Sequence, residues 1–173
     1  MIFRVVGETP EGNIMPKKRK PGLRMKETLW GYVAPGVEDF KTGYEQGEAA
    51  NIRFQFWVTI DIDEFEEFIK ISGHTAPLSG TVSCPLFGKN LPIRDGRFNL
   101  FQPDVEQGDR RITYTFSFTG QDGSDYYLDG FKVIYHDPKK IDLLEDMTTL
   151  FTRIFRAGTA GGELVASGIL FYH

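Results

Sequence analysis

The chain has 173 residues, of which 40% are hydrophobic and 14% aromatic. This length and composition predict a single folded domain with a sizeable core, and they exclude a disordered chain. The formal net charge of −4 gives no basic excess of the kind that nucleic-acid-binding proteins usually carry, so nucleic acid is not expected as a partner.

Cysteine content and hydropathy suggest where the protein works. The single cysteine, Cys84, excludes an intramolecular disulfide and fits a reducing compartment. The first residues lack the charged segment and long apolar run of a secretion signal, and no later apolar run approaches membrane-spanning length. We therefore expect a cytoplasmic protein without a membrane span.

Residues 1–22 are predicted to precede the main domain, which covers residues 23–173. They contain a short strand at Ile2–Val6 and then a loop rich in glycine, proline and charge. Within the loop, Lys17–Lys20 resembles a basic targeting or polyanion-contact patch, although in an acidic protein a solvated loop is the simpler interpretation.

Four segments open the main domain. Leu23–Ala34 is predicted to be a strand, and the polar segment Val37–Ala50 a long surface loop or a short turn of helix. Ile52–Asp61 alternates apolar with mostly polar residues, which predicts a strand with one buried face. Asp63–Ile71 changes to a helical period and starts with acidic residues, so it predicts one short amphipathic helix.

The clearest antiparallel hairpin lies further along the chain, at Arg111–His136. Large apolar residues occupy every second position from Ile112 to Phe118, and Gly120–Asp125 supplies residues that favour a chain reversal. Before this hairpin, Leu78–Phe87 and Leu91–Phe101 are predicted strands around a turn at Gly88–Asn90.

The last part of the chain completes the sheet. Met147–Arg156 has apolar spacing that fits a helix and threonines that favour a strand, and we predict a strand. Leu164–Tyr172 is the final predicted strand. Five glycines, Gly31, Gly80, Gly96, Gly130 and Gly168, lie within or at the start of strands, as strongly coiled strands require. The prediction is a mainly β fold: an antiparallel closed barrel of about eight to nine strands, lipocalin- or calycin-like, with one short helix.

No motif predicts a metal site, a cofactor or a catalytic residue. The three histidines, His74, His136 and His173, do not have the spacing of metal ligands. Cys84 is predicted to be a small buried hydrophobic residue. No nucleophile elbow, phosphate loop or dinucleotide fingerprint occurs. The acidic run Asp61–Glu67 lies where a helix start favours acids in any case.

The barrel interior is the remaining place for function. It either holds one small apolar ligand or is filled by a packed aromatic core, and the sequence leaves both open. The residues predicted to line it are Phe54, Phe56, Phe98, Tyr114, Phe116 and Phe118.

Charged residues within apolar strands are the candidate polar groups of such a pocket. Arg53, Lys132 and Arg153 either face the solvent or point inward, and an inward charge needs a partner such as Glu27, Asp129 or Asp146. The predicted polar pocket residues are Glu27, His74, Lys132, Asp146 and Arg153.

Seven short segments carry a resemblance to a known family: Glu27–Tyr32, Gly73–His74, Gly80–Val82, Gly96–Phe101, Gly130–Lys132, Asp146–Leu150 and Gly168–Leu170. In these segments the chain resembles the β-rich accessory domain of some bacterial flavoprotein oxidoreductases of the glucose-methanol-choline, cholesterol-oxidase-like group. The resemblance implies a module beside lipid- or sterol-related chemistry, acting as a ligand carrier or as a docking partner of a flavoprotein oxidoreductase. The chain has no dinucleotide-binding segment, so flavin binding does not carry over.

Three functions are compatible with the sequence. The first is a barrel that binds a small apolar or sterol-like molecule, or supports an oxidoreductase that handles one. The second is a barrel enzyme, such as a lipid isomerase or cyclase. The third is a packed interaction domain without a ligand. The sequence does not set the oligomeric state.

Overall fold

The structure is a computed structural model that describes residues 2–5, 22–70, 73–103, 110–134, 148–156 and 161–173. Antiparallel strands make up most of it, and two helices lie in the connections that follow β2 and β3. The elements are β1 Ile2–Val5, β2 Leu23–Pro35, α1 Phe40–Ala49, β3 Arg53–Ile62, α2 Phe65–Lys70, β4 Thr75–Cys84, β5 Gly88–Pro92, β6 Arg94–Pro103, β7 Arg110–Thr119, β8 Asp125–Ile134, β9 Thr149–Arg156 and β10 Leu164–Tyr172.

Eight of the strands close into a barrel. From β2 through β3, β4, β6, β7, β8, β9 and β10, each strand pairs antiparallel with the next, and β10 pairs back with β2. The short strand β1 extends the sheet along the first residues of β2, and β5 pairs with the end of β4. The predicted mainly β, closed antiparallel barrel is therefore confirmed.

Alternation of side chains places the core inside the barrel. In β7, Ile112, Tyr114, Phe116 and Phe118 are buried, and the hydroxylated residues between them are more exposed. The other barrel strands supply the facing side chains of one continuous hydrophobic cluster. The period of two in the sequence thus separates the interior from the outer surface.

Glycines allow neighbouring strands to approach each other where the sheet coils. A Cβ atom on Gly31 would collide with the carbonyl oxygen of Ile169, and one on Gly168 would collide with that of Tyr32. The two glycines lie on the paired strands β2 and β10, at the seam that closes the barrel. Backbone occupies the space of a side chain there, as expected for strongly coiled strands.

The helices differ from the prediction in number. The predicted helix at Asp63–Ile71 is confirmed as α2, but the segment predicted as a long surface loop or a short turn of helix contains the ten-residue helix α1. Asp39 caps α1 by accepting a hydrogen bond from the Thr42 backbone N–H. Gly43 and Gly47 lower its helix propensity but let it pack directly on the backbone of Ser167 and Val33. Tertiary packing, which the local sequence does not show, stabilises this helix.

Two further predictions concern single connections. Met147–Arg156 contains the strand β9, so the preference for a strand is confirmed. The turn predicted at Gly88–Asn90 was misplaced: the chain reverses at Cys84–Phe87, where the Phe87 N–H donates to the Cys84 carbonyl. Pro85 is suited to the second position of such a turn. Gly88 begins β5.

Some predictions fall on residues that the structure does not describe. The basic residues Lys17–Lys20 are among these, as is Asp146. In the described part of the chain, neither helix has the length and apolar character needed to cross a bilayer.

Candidate functional site

The six predicted lining residues all lie in the barrel interior. They come from three strands: Phe54 and Phe56 from β3, Phe98 from β6, and Tyr114, Phe116 and Phe118 from β7. None is more than 4% exposed.

Most of these rings contact one another near the turn between β7 and β8. The ring of Phe118 lies 6.3 Å from that of Phe54, 5.5 Å from Phe87 and 5.5 Å from Tyr126. Phe116 lies 5.4 Å from Phe56 in an edge arrangement. We call this region, Phe54, Phe87, Phe116, Phe118 and Tyr126, the aromatic end of the interior; its rings pack as a protein core packs.

A different set of side chains occupies the interior toward α2. The Tyr114 hydroxyl donates a 2.8 Å hydrogen bond to Oε2 of Glu27, and the Lys132 Nζ lies 5.0 Å from the centre of the Tyr114 ring. Glu27 is 5% exposed and Lys132 4%. We call Glu27, Tyr114 and Lys132 the polar end.

Strand register brings these three residues together. Tyr114 in β7 pairs with Gly130 in β8, and Lys132 follows two residues later on the same inner face. The Lys132 Nζ lies over the face of the Tyr114 ring. Glu27 lies on the inner face of β2, opposite Val58 of β3. Three distant parts of the chain thus meet inside the barrel.

Burial sets the protonation of the polar end. It raises the pKa of Tyr114 well above its ordinary value, and the nearby charge of Glu27 raises that pKa further. Tyr114 therefore keeps its proton and donates a hydrogen bond to Glu27. Burial lowers the pKa of Lys132, while the charge of Glu27 opposes that shift.

The polar end leaves hydrogen-bonding capacity unused. Among the described residues, none accepts a hydrogen bond from the Lys132 ammonium or forms a direct ion pair with it. Tyr114 engages one carboxylate oxygen of Glu27, and Oε1 has no hydrogen bond within the same set of residues. An ammonium has three donors, and buried polar groups normally find partners.

His74 is not part of this cluster. It directly precedes β4, where its Nδ1 lies 2.8 Å from the Phe68 carbonyl and its ring packs on the Phe68 ring. No hydrogen bond joins it to Glu27 or Lys132. Asp146 lies outside the described residues.

Arg153 is on the outer face of the barrel, so the structure does not bring it together with Lys132. Its guanidinium lies 4.6 Å from the Phe40 ring of α1, and Asp129 lies opposite it on β8. Burial raises the pKa of Asp129, while Arg153 and Arg111 lower it. Arg53 also faces outward, 3.9 Å from the Trp30 ring. Only Lys132 of the three strand cations points inward.

Sequence reasoning named Tyr114 only as a lining residue and did not foresee its hydrogen bond to Glu27. The available signal was a single tyrosine among alternating phenylalanines, since a buried tyrosine hydroxyl needs a partner. The interior rings Phe87 and Tyr126 were also not predicted to line the barrel.

The described residues offer little for other chemistry. Burial raises the pKa of the Cys84 thiol to about 12, so this thiol stays protonated and is a poor nucleophile at neutral pH. No group of three potential metal-ligating side chains occurs in the described segments.

Comparison with known proteins gives no relative from which a role could be transferred. No family model matches this chain, and neither does any curated protein or solved structure that was searched.

Proposed function

We propose that the barrel binds a small, mostly apolar molecule whose polar group contacts Glu27, Tyr114 and Lys132. The observation that carries the proposal is the Lys132 side chain, which is 4% exposed and whose ammonium has no direct hydrogen-bond or ion-pair partner among the described residues. Ligand sites typically combine apolar walls with a few convergent polar groups.

Burying the charges of Glu27 and Lys132 costs free energy. A carboxylate and an ammonium lose their hydration inside a barrel, and nearby opposite charge compensates this only in part. A core that only stabilised the fold would be served better by apolar side chains at positions 27 and 132. Glu27 and Lys132 therefore fit a role in ligand binding better than a role in stabilising the fold.

The test is native mass spectrometry of the protein purified from its source, followed by lipid extraction and by titration with a fatty alcohol and cholesterol. We expect a bound small molecule, and weaker binding after Lys132→Met. Lys89→Met, on the exposed part of β5, is the matched control and should leave binding unchanged. Absence of any bound or added apolar molecule would overturn the proposal.

A second candidate is a barrel enzyme that isomerises or cyclises a lipid. The observation that favours it is the 2.8 Å hydrogen bond from the Tyr114 phenol to Glu27, beside an amine whose pKa burial lowers. These are groups that can exchange protons with a bound substrate. Tyr114→Phe should then abolish turnover of a bound lipid and leave its binding largely intact, whereas a carrier shows no turnover in either form.

The third candidate, a packed domain without a ligand, is supported by the ring contacts of the aromatic end. The same mass-spectrometry experiment decides between it and a carrier. A docking role beside a flavoprotein oxidoreductase and a cytoplasmic location stay predictions. The first is supported by the resemblance of the sequence, and the second by its composition.

A further inference from the structure

We infer that the polar end selects a neutral molecule with a hydroxyl or carbonyl oxygen, such as a fatty alcohol, ketone or sterol, over a carboxylic acid. This inference rests on the proposed function, because it names the class of ligand that the same site would take.

The charges at the polar end favour a neutral ligand. Glu27 and Lys132 are the only charged side chains that the described part of the structure buries. One negative and one positive group give a site with no net charge. An ionised carboxylic acid would add a second negative charge close to Glu27, in surroundings where charge is poorly screened.

The hydrogen-bonding groups of the polar end match a ligand oxygen, best of all a hydroxyl. The Tyr114 proton is already used on Oε2 of Glu27, so the groups left without a hydrogen bond to any described residue are the ammonium hydrogens of Lys132 and Oε1 of Glu27. A hydroxyl can accept from Lys132 and donate to Glu27. A carbonyl can only accept, and a hydrocarbon can do neither.

The surroundings suit the apolar part of such a molecule. Val58 lies opposite Glu27 and Ile112 lies opposite Lys132 in the strand register, and both side chains are buried. Oxygen-bearing groups near one end of an otherwise apolar skeleton match a site whose polar groups are clustered within an apolar wall.

The experiment compares ligands that share one carbon chain: decanol, methyl octyl ketone, decanoic acid and decane. Binding of each to the full chain at neutral pH is measured by isothermal titration calorimetry. We expect decanol to bind about tenfold more tightly than decane, because its oxygen can form hydrogen bonds with charged groups and decane can form none. The ketone should lie between them, and the ionised acid should bind least well.

Variants show whether the polar end causes the preference. Lys132→Met alone leaves Glu27 uncompensated, so the double variant Glu27→Gln/Lys132→Met is the informative one, because it removes both charges at similar volume. In the double variant, the advantage of decanol over decane should fall, because no charged group remains to exchange hydrogen bonds with the hydroxyl.

The outcomes separate the two levels of the proposal. If decane binds the natural chain as well as decanol does, or decanoic acid binds best, the inference is wrong while apolar ligand binding stands. If the double variant keeps the decanol preference, the inference is also wrong. If none of the four probes binds the natural chain, the proposed function itself fails for ligands of this size.

Discussion

The two ends of the barrel interior are built on the same alternating strands, but they use different chemistry. At the aromatic end, rings from β3, β7 and β8 contact one another within 6.3 Å, together with Phe87 from the turn before β5. At the polar end, a carboxylate, a phenol and an ammonium share the space. A single strand, β7, contributes to both ends, through Phe118 and Tyr114.

The difference suggests a division of roles along the barrel. Ring packing removes large apolar surfaces from water and so stabilises the fold. Buried charged groups add little to the free energy of unfolding and can lower it. Their presence in the interior therefore indicates another role, such as binding a ligand. The following predictions test this division, beginning with the largest expected effect.

Phe118→Ala should give the largest loss of stability. The Phe118 ring is fully buried and contacts Phe54, Phe87 and Tyr126, so its removal leaves a cavity that these neighbours cannot fill. We expect the free energy of unfolding, measured with urea, to fall by about 3–5 kcal/mol.

The matched control for this change is Phe65→Ala. Phe65 is 40% exposed in α2, so its removal should cost much less. If the folded Phe118→Ala variant lost little stability, or lost decanol binding while Lys132→Met kept it, the assigned roles of the two ends would be reversed.

Charge removal at the polar end should have a smaller, coupled effect. Lys132→Met leaves the Glu27 carboxylate buried without a compensating charge, and Glu27→Gln does the converse, so each should lower the unfolding free energy by about 1–3 kcal/mol. The double variant should be less destabilised than the sum, because it removes both charges.

The exposed pair Arg24–Asp61 on β2 and β3 provides the reference for this cycle. Its side chains are 55% and 37% exposed, so its coupling should be about 0–1 kcal/mol. Additive effects of Glu27 and Lys132 would show that the two charges do not interact inside the barrel.

The sequence predicted the barrel because its strands carry local signals. The alternation at Ile112–Phe118 and the reversal at Gly120–Asp125 identify β7, β8 and their turn, and glycines such as Gly31 and Gly168 identify where the strands coil. The full length of helix α1 was not predicted because glycines oppose a helix locally and assist it only through contact with β2 and β10.

The candidate site was predictable only in part. Alternation showed that a charge within a strand faces either inward or outward, but it could not tell Lys132 from Arg153, because orientation depends on strand register. Lys132 faces Tyr114 inside the barrel, whereas Arg153 packs on Phe40 of α1, a helix whose length was not predicted. The proximity of Glu27 to Tyr114, 87 residues away, is set by closure of the barrel.

Raising the pH should favour the natural chain relative to Lys132→Met. The pKa of Lys132 is lowered in the folded state, whereas an unfolded lysine has a pKa of about 10.4. Between these values the unfolded chain binds more protons than the folded chain, so the Lys132 contribution to stability rises with pH. Unfolding free energies of both proteins, measured from neutral pH to about pH 10, should show this difference growing.

The control for the pH effect is Lys89→Met, because Lys89 is exposed on β5. Its difference from the natural chain should stay nearly constant over the same range. A flat difference for Lys132→Met would mean that folding does not alter proton binding at position 132.

The smallest effect is expected at the solvent side of the aromatic end, where Asp122 in the β7–β8 turn accepts hydrogen bonds from the Tyr126 hydroxyl and the Ser124 N–H. These bonds lower the pKa of Asp122 from its ordinary value of 3.8, so its contribution to stability is present above that pH and is lost as the pH falls through the folded-state pKa. Asp122→Asn should therefore destabilise the chain slightly at neutral pH and match it more closely in acid. Thermal unfolding of both proteins across this range measures the difference, with Glu38→Gln, at an exposed position before α1, as the control. A loss that is equally large in acid would show that the carboxylate acts through turn geometry and not through its charge.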